Sequence, residues 1–131
     1  MCWKSKTKPK LQTAKENIVV YKVVRLNKNI IESFTKRFCY KLKRKYELPA
    51  LDLLFIPPDL FVSDACYVVH EGFHSYNIYA DALLQHELSR FDPFSYVKTA
   101  VVECIIPKGS KYYRNETETV SNAIIIAKIL D

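Results

Sequence analysis

Three short segments carry the side chains best able to do chemistry. The first is His70-Glu71-Gly72-Phe73-His74, a literal H-E-x-x-H. On a helix that spacing puts two imidazoles one turn apart on a zinc ion, with the Glu activating bound water. The preceding Cys66-Tyr67-Val68-Val69 favours a strand, and Gly72 inside a helical turn costs about 1 kcal/mol. No metal is therefore expected. A zinc-dependent hydrolase through HEGFH, with His86 as a third ligand and Glu71 as general base, stands as an alternative. Read as a strand, the same stretch puts Phe73 and Ser75 on one side and His74 and Tyr76 on the other. A helix following at once would aim free N–H groups at His74–Tyr76 and suit an anion. The alternative is a structural β-to-α turn capped by Ser75 or Asn77, with His74 satisfied by a backbone group.

The second segment, Pro107-Lys108-Gly109-Ser110-Lys111-Tyr112-Tyr113, interleaves cations with aromatics, a pattern that can hold a phosphate and stack a base. Ile106-Pro107-Lys108-Gly109 fits a type I turn with Pro second and Gly fourth. The third, Glu116-Thr117-Glu118, offers two carboxylates that could hold a ribose or position a nucleophile. Gly72 and Gly109 are the only 2 glycines of the chain, where average usage gives roughly 9. Glycine used so sparingly marks positions that need positive φ or close approach.

These segments must be carried by a scaffold whose periodicities are legible. Residues 1–16 are Lys-rich, lack periodicity and read as a basic N-terminal arm before a single domain over 17–131. Ile18–Val24 is β-branched and reads as a strand. Asn29 and Glu32 resemble a helix cap, and Ile30, Phe34, Phe38, Leu42 and Tyr46 follow at helical spacing until Pro49. That helix would present Lys36, Arg37, Lys41, Lys43, Arg44 and Lys45. Leu51–Ile56 and Ala65–Val69 read as short strands, and a second helix runs from Ser75 or Asn77 to about Ser89. Val97–Ile106 and Val120–Leu130 read as long strands, the second buried on both faces through its Ile run. The order predicts an α+β fold, with two main helices on a mainly antiparallel or mixed sheet.

Composition narrows the partners. The 131 residues carry a net charge of +6, from a basic first third (residues 1–45) and an acidic remainder. Such asymmetry suits a polyanion, and the basic helix 36–45 could bind nucleic acid or an acidic protein. It equally suits docking of the basic element on its own acidic body. The longest apolar runs are far shorter than a bilayer span, so no membrane partner is expected. No apolar segment follows the charged start, and the 4 cysteines form no C-x-x-C pair, which predicts reduced thiols in the cytoplasm. Composition leaves the oligomeric state open.

The order of the pieces remotely resembles the ADP-ribosyltransferase-like fold. Val20-Tyr21-Lys22-Val23 resembles its first strand, with Lys22 where many members carry Arg. Gly72-Phe73-His74-Ser75-Tyr76 resembles the second element, and Glu103–Ser110 the strand and turn before the catalytic Glu loop, where Glu116 or Glu118 stands for that Glu. The chain also resembles short bacterial and phage proteins with GFHSY and IPKGS-x-YY segments. The first resemblance implies a nucleotide ligand such as NAD. Lys22, His74, Ser75 and Tyr76 would hold its pyrophosphate and ribose, Tyr112 or Tyr113 would stack the nicotinamide, and Glu118 would stabilise the oxocarbenium-like centre. In a catalytically inactive version the same cleft binds a nucleotide or a partner without chemistry.

Overall fold

The computed structural model describes residues 3–28, 30–33, 38–58, 64–90 and 98–130. Of these, 55% lie in strands and 11% in the one helix. The fold is sheet-dominated, which corrects the expected α+β class with two main helices.

The backbone of the molecule is a long antiparallel pair, β3 (Ile18–Asn27) and β10 (Lys98–Ile106), registered from Leu26↔Lys98 to Ile18↔Ile106. Their β-branched residues alternate between two faces, as a strand requires. β13 (Ala123–Leu130) pairs the far edge of β10 and β6 (Lys45–Glu47) follows it. On the other side come β9 (Phe73–Tyr76), β12 (Glu118–Ser121), β11 (Lys111–Arg114) and β2 (Gln12–Thr13), giving the order β2-β11-β12-β9-β3-β10-β13-β6. β4 (Ile30–Ser33) also pairs β3 and carries β5 (Cys39–Tyr40). A smaller sheet of β1 (Trp3–Ser5), β8 (Cys66–Val69) and β7 (Leu53–Ile56) lies beside this.

The expected helix between Asn29 and Pro49 does not form. Its place is taken by β4, β5 and β6, while the expected cap residue Asn29 and Phe34, Thr35, Lys36 and Arg37 lie outside the described residues. Lys28, at φ 59°, turns the chain so that Ile30 returns opposite Asn27. The burial pattern gives the physical reason. Ile30, Phe38 and Leu42, on the presumed helical stripe, are exposed, while Ile31 and Tyr40, off it, are core. The basic run Lys41–Lys45 thus lies on the β5–β6 turn and the start of β6, not on a helix face. The second helix is present as α1 (Tyr79–Arg90), packed through Ala82 against Val23 and Val101. No helix among the described residues is long and apolar enough to cross a membrane.

The expected last strand is two strands. Asn122 interrupts it: its N–H donates to the Lys111 carbonyl and its Oδ1 accepts from the Lys111 N–H. Its carbonyl accepts from the Leu48 N–H, and its side-chain amide donates to the Leu48 carbonyl. Lys111 belongs to β11 and Leu48 follows β6, so one residue draws together two strands that are far apart in the sheet order. The sheet curls accordingly, and the main core (Val20, Val24, Phe73, Cys104, Tyr112, Ile124 and neighbours) lies on its inner side. Ile124 and Ile126 are fully buried while Ile125 is not, so β13 buries one face at this point rather than both.

Candidate functional site

A fork in the main sheet creates the cleft. One edge of β3 is fully occupied by β10. Its other edge is shared: Tyr21 pairs Tyr76 of β9, while Val24–Asn27 pair β4. Continuing the β9 ladder would put Phe73 opposite Val24, but Ser33 already holds that place. The two partners therefore diverge beside Lys22 and Val23. A cavity of about 550 Å³ opens between them.

Lys22 lies at the base of this fork, only 9% exposed. Its Nζ donates to the main-chain carbonyl of His74 across the gap and lies 5.9 Å from the Tyr40 ring centre. Among the described residues it forms no ion pair. Burial pushes its pKa below the ordinary 10.5, with a smaller opposing pull from the neighbouring Cys104. Burial also pushes the Cys104 thiol up to about 12. The structural surprise is an amine buried where its two strand neighbours of the same face, Val20 and Val24, are core valines.

Four aromatic rings wall one side. Phe38 meets Tyr40 at 5.0 Å, Tyr46 at 5.4 Å and Phe73 at 6.5 Å between ring centres, all edge to face. The guanidinium of Arg44 lies 5.7 Å from the centre of Tyr46, so this exposed cation of the β5–β6 turn adjoins the wall. Three carboxylates, Glu47, Glu71 and Glu118, line the cleft elsewhere. Glu118 is half-buried, and loss of solvent raises its pKa above the usual 4.5. Tyr76, its partner across the strands, is raised first by burial and then by Glu118 and Asp81.

The cleft brings together Lys22, His74, Ser75, Tyr76 and Glu118, all residues named from sequence. Their supports are specific. Phe73 and Ser75 are buried while His74 and Tyr76 are half-buried, the alternation expected of a strand. The Ser75 hydroxyl donates to the Thr119 carbonyl at 3.3 Å. The Asn115 side chain accepts from the N–H groups of Thr117 and Glu118 at 3.0 and 2.8 Å, turning the chain so that Glu118 starts β12 opposite Tyr76. Glu116 is exposed and does not line the cleft.

Tyr112 and Tyr113 are not there. Tyr113 is core beside Trp3, 5.8 Å between ring centres, and Tyr112 is buried in the main core with its hydroxyl donating to Gln12 at 3.0 Å. Strand alternation along β11 points them to opposite faces, both buried, so neither lines the cleft. The turn before them also differs from expectation. Ser110 N–H donates to the Pro107 carbonyl at 3.1 Å, which makes Gly109 the third residue, at φ +90°. The turn is thus shifted by one residue and needs glycine at its third position, as type II turns do.

The expected anion site at a helix start is also altered. α1 begins at Tyr79, and Asn77 instead donates its N–H to Thr117 and its amide to Asn115. The H-E-x-x-H segment joins β8 to β9 rather than riding on a helix. His86, the third ligand considered, shares a 2.7 Å hydrogen bond with Thr99, and no group of three metal-ligating side chains exists among the described residues. The residues that sequence missed are Phe38, Tyr40 and Tyr46. Their aromatic content was visible, but helical spacing hid their convergence. Comparison with protein-family models, curated proteins and solved structures finds no match for this chain.

Proposed function

We propose that the protein is a nucleotide-binding domain whose fork cleft takes a planar heteroaromatic ring, with the attached phosphate held at the rim by the β5–β6 cations. The observation that carries this reading is the grouping of four aromatic rings around one cleft, with Arg44 lying over one of them, Tyr46. Edge-to-face aromatic walls bind flat rings, and stacking is worth about 1–3 kcal/mol per base. The carboxylates decide which end enters. Three face the cleft against one buried lysine, a balance that repels a pyrophosphate and favours a ring carrying positive charge. The nicotinamide ring of NAD is such a cation, and the resemblance of Gly72–Tyr76 to the ADP-ribosyltransferase-like element points to the same ligand.

The phosphate position is a revision of the pattern expected from sequence. Lys22 is turned to a backbone carbonyl inside the cleft, whereas Arg44 is exposed and lies over the Tyr46 ring of the cleft wall, with Lys41 and Lys43 on the same turn. Glu118, raised by burial at the cleft, is the group on which NAD hydrolysis would depend.

Calorimetry with NAD, nicotinamide mononucleotide and ADP-ribose tests the reading. The mononucleotide and NAD bind, Arg44→Glu weakens both several-fold, and ADP-ribose, which lacks the ring, binds least. No heat from any of them at millimolar concentration overturns it, as does ADP-ribose binding as well as NAD. Turnover of NAD that vanishes in Glu118→Gln would add catalysis to binding.

A further inference from the structure

We infer that Lys22 is a carbonyl-reactive amine, which condenses with the aldehyde of a planar ring ligand seated in the fork cleft. The inference rests on the cleft being a ring-binding site and adds covalent capture to it. Three observations carry it. Lys22 is nine-tenths buried yet lines the cavity, so its amine meets a ligand and not bulk water. Its polar neighbours include no carboxylate within ion-pair distance among the described residues; it donates only to the His74 carbonyl. The aromatic wall then places a ring, and any carbonyl on that ring, against the base of the cleft.

An ammonium ion buried without a counter-charge is costly, so such a site favours the neutral amine. Burial lowers the Lys22 pKa in this way. A lysine desolvated in an apolar pocket is the usual setting for imine formation. The groups around it are Tyr40 on β5, Cys104 on β10, His74 and Ser75 on β9, Tyr46 and Glu47 on β6, Glu118 on β12 and Glu71 in the β8–β9 turn. Tyr40 and Cys104 are both held protonated by burial, so neither pairs with the amine as an anion at neutral pH.

The step balances without a further reagent. The nitrogen lone pair adds to the carbonyl carbon, and a proton moves from nitrogen to oxygen to give a carbinolamine. The hydroxyl takes a proton relayed through the Glu118 carboxyl, which lines the cleft, and water leaves as the C=N bond forms. The imine nitrogen then loses its remaining proton to the Glu118 carboxylate. One water is released and no oxidation occurs.

Pyridine-3-carbaldehyde, the aldehyde counterpart of nicotinamide, is the probe. The protein is incubated with it at neutral pH, reduced with cyanoborohydride and mapped by peptide mass spectrometry, in parallel with calorimetry of nicotinamide mononucleotide. The expected result is one adduct at Lys22, ahead of every other lysine, suppressed by nicotinamide mononucleotide and absent in Lys22→Arg and Lys22→Met. Label spread over exposed lysines with Lys22 unmodified overturns the inference. If the mononucleotide binds and Lys22 stays unmodified, the inference falls and the ring-binding reading stands. If Lys22 is modified without protection by the mononucleotide, imine chemistry stands and the nucleotide reading falls. If the mononucleotide does not bind and Lys22 stays unmodified, both fall.

Discussion

Lys22 occupies a position on β3 where an apolar side chain would pack better. Burial holds its folded-state pKa below 10.5, while the unfolded chain keeps the ordinary value. Between those two values the unfolded state binds more protons, so stability rises with pH across that window and levels off above 10.5. Lys22→Met removes this slope. It also removes the cost of desolvating the amine, offset by the lost bond to the His74 carbonyl, for a net gain of about 1 kcal/mol at neutral pH. Urea unfolding of both proteins from neutral to alkaline pH checks this; a destabilised Met variant with an unchanged slope contradicts it. At Gly72 the demand is for space. An added Cβ would lie 2.4 Å from Val120 Cγ2 and 2.9 Å from Leu51 Cδ2. Gly72→Ala is expected to cost about 1–3 kcal/mol through overpacking. Gly109 has open space around its Cα but φ +90°, so Gly109→Ala costs about 1 kcal/mol through backbone strain alone. Both glycines were conspicuous in the sequence, and close approach and positive φ were its two candidate reasons. Only the fold assigns one reason to each.

At the scale of elements, β-branched residues identified β3, β8 and β10, because they pack well on a pleated, half-buried surface, and a short apolar run identified β7. The stretch from Ile30 to Tyr46 misled because apolar residues every four positions satisfy a helix, while Ile30-Ile31, Cys39-Tyr40 and Tyr46 satisfy short strands equally well. Pairing with β3 decided the outcome, and periodicity does not see a partner strand. Within the arm expected over residues 1–16, read as loose or edge-packed, Trp3 is fully buried with Val69, Tyr113 and Val120 and hydrogen-bonds the Glu118 carbonyl at 3.3 Å. β1 therefore supports the strand that bears Glu118. Trp3→Ala is expected to cost about 3–5 kcal/mol. Its effect on Glu118 is readable separately, as a Glu118 pKa shifted back toward 4.5 in carboxylate NMR titration. An unchanged pKa would show that β1 stabilises the fold without positioning the site.

At the scale of the molecule, the main sheet of the described residues curls and forks where β9 and β4 compete for one edge of β3, and the candidate site is that fork. Sequence named five of its residues because segments rich in polar and aromatic groups stood out against β-branched strands. It could not show that the fork existed, since strand competition is a property of topology. Nor could it place Phe38, Tyr40 and Tyr46 around one cavity, or remove Tyr112 and Tyr113 into the core. The charge asymmetry gains a local meaning in the proposed binding mode. Rim cations hold phosphate in solvent, where about 8–10 Å screening lengths apply at moderate salt. Affinity for nicotinamide mononucleotide should fall more steeply with added salt than affinity for nicotinamide riboside, which lacks the phosphate. Equal salt dependence would place the phosphate elsewhere.

The most direct measurement of the central claim is a backbone amide NMR titration with nicotinamide mononucleotide. The account predicts saturable shifts at Lys22, Val23, Ser33 and Gly72–Tyr76, the residues that flank the fork, with smaller changes at Lys43 and Arg44 on the rim. Shifts confined to Lys108–Tyr113, or no shifts at the fork under saturating ligand, would contradict it.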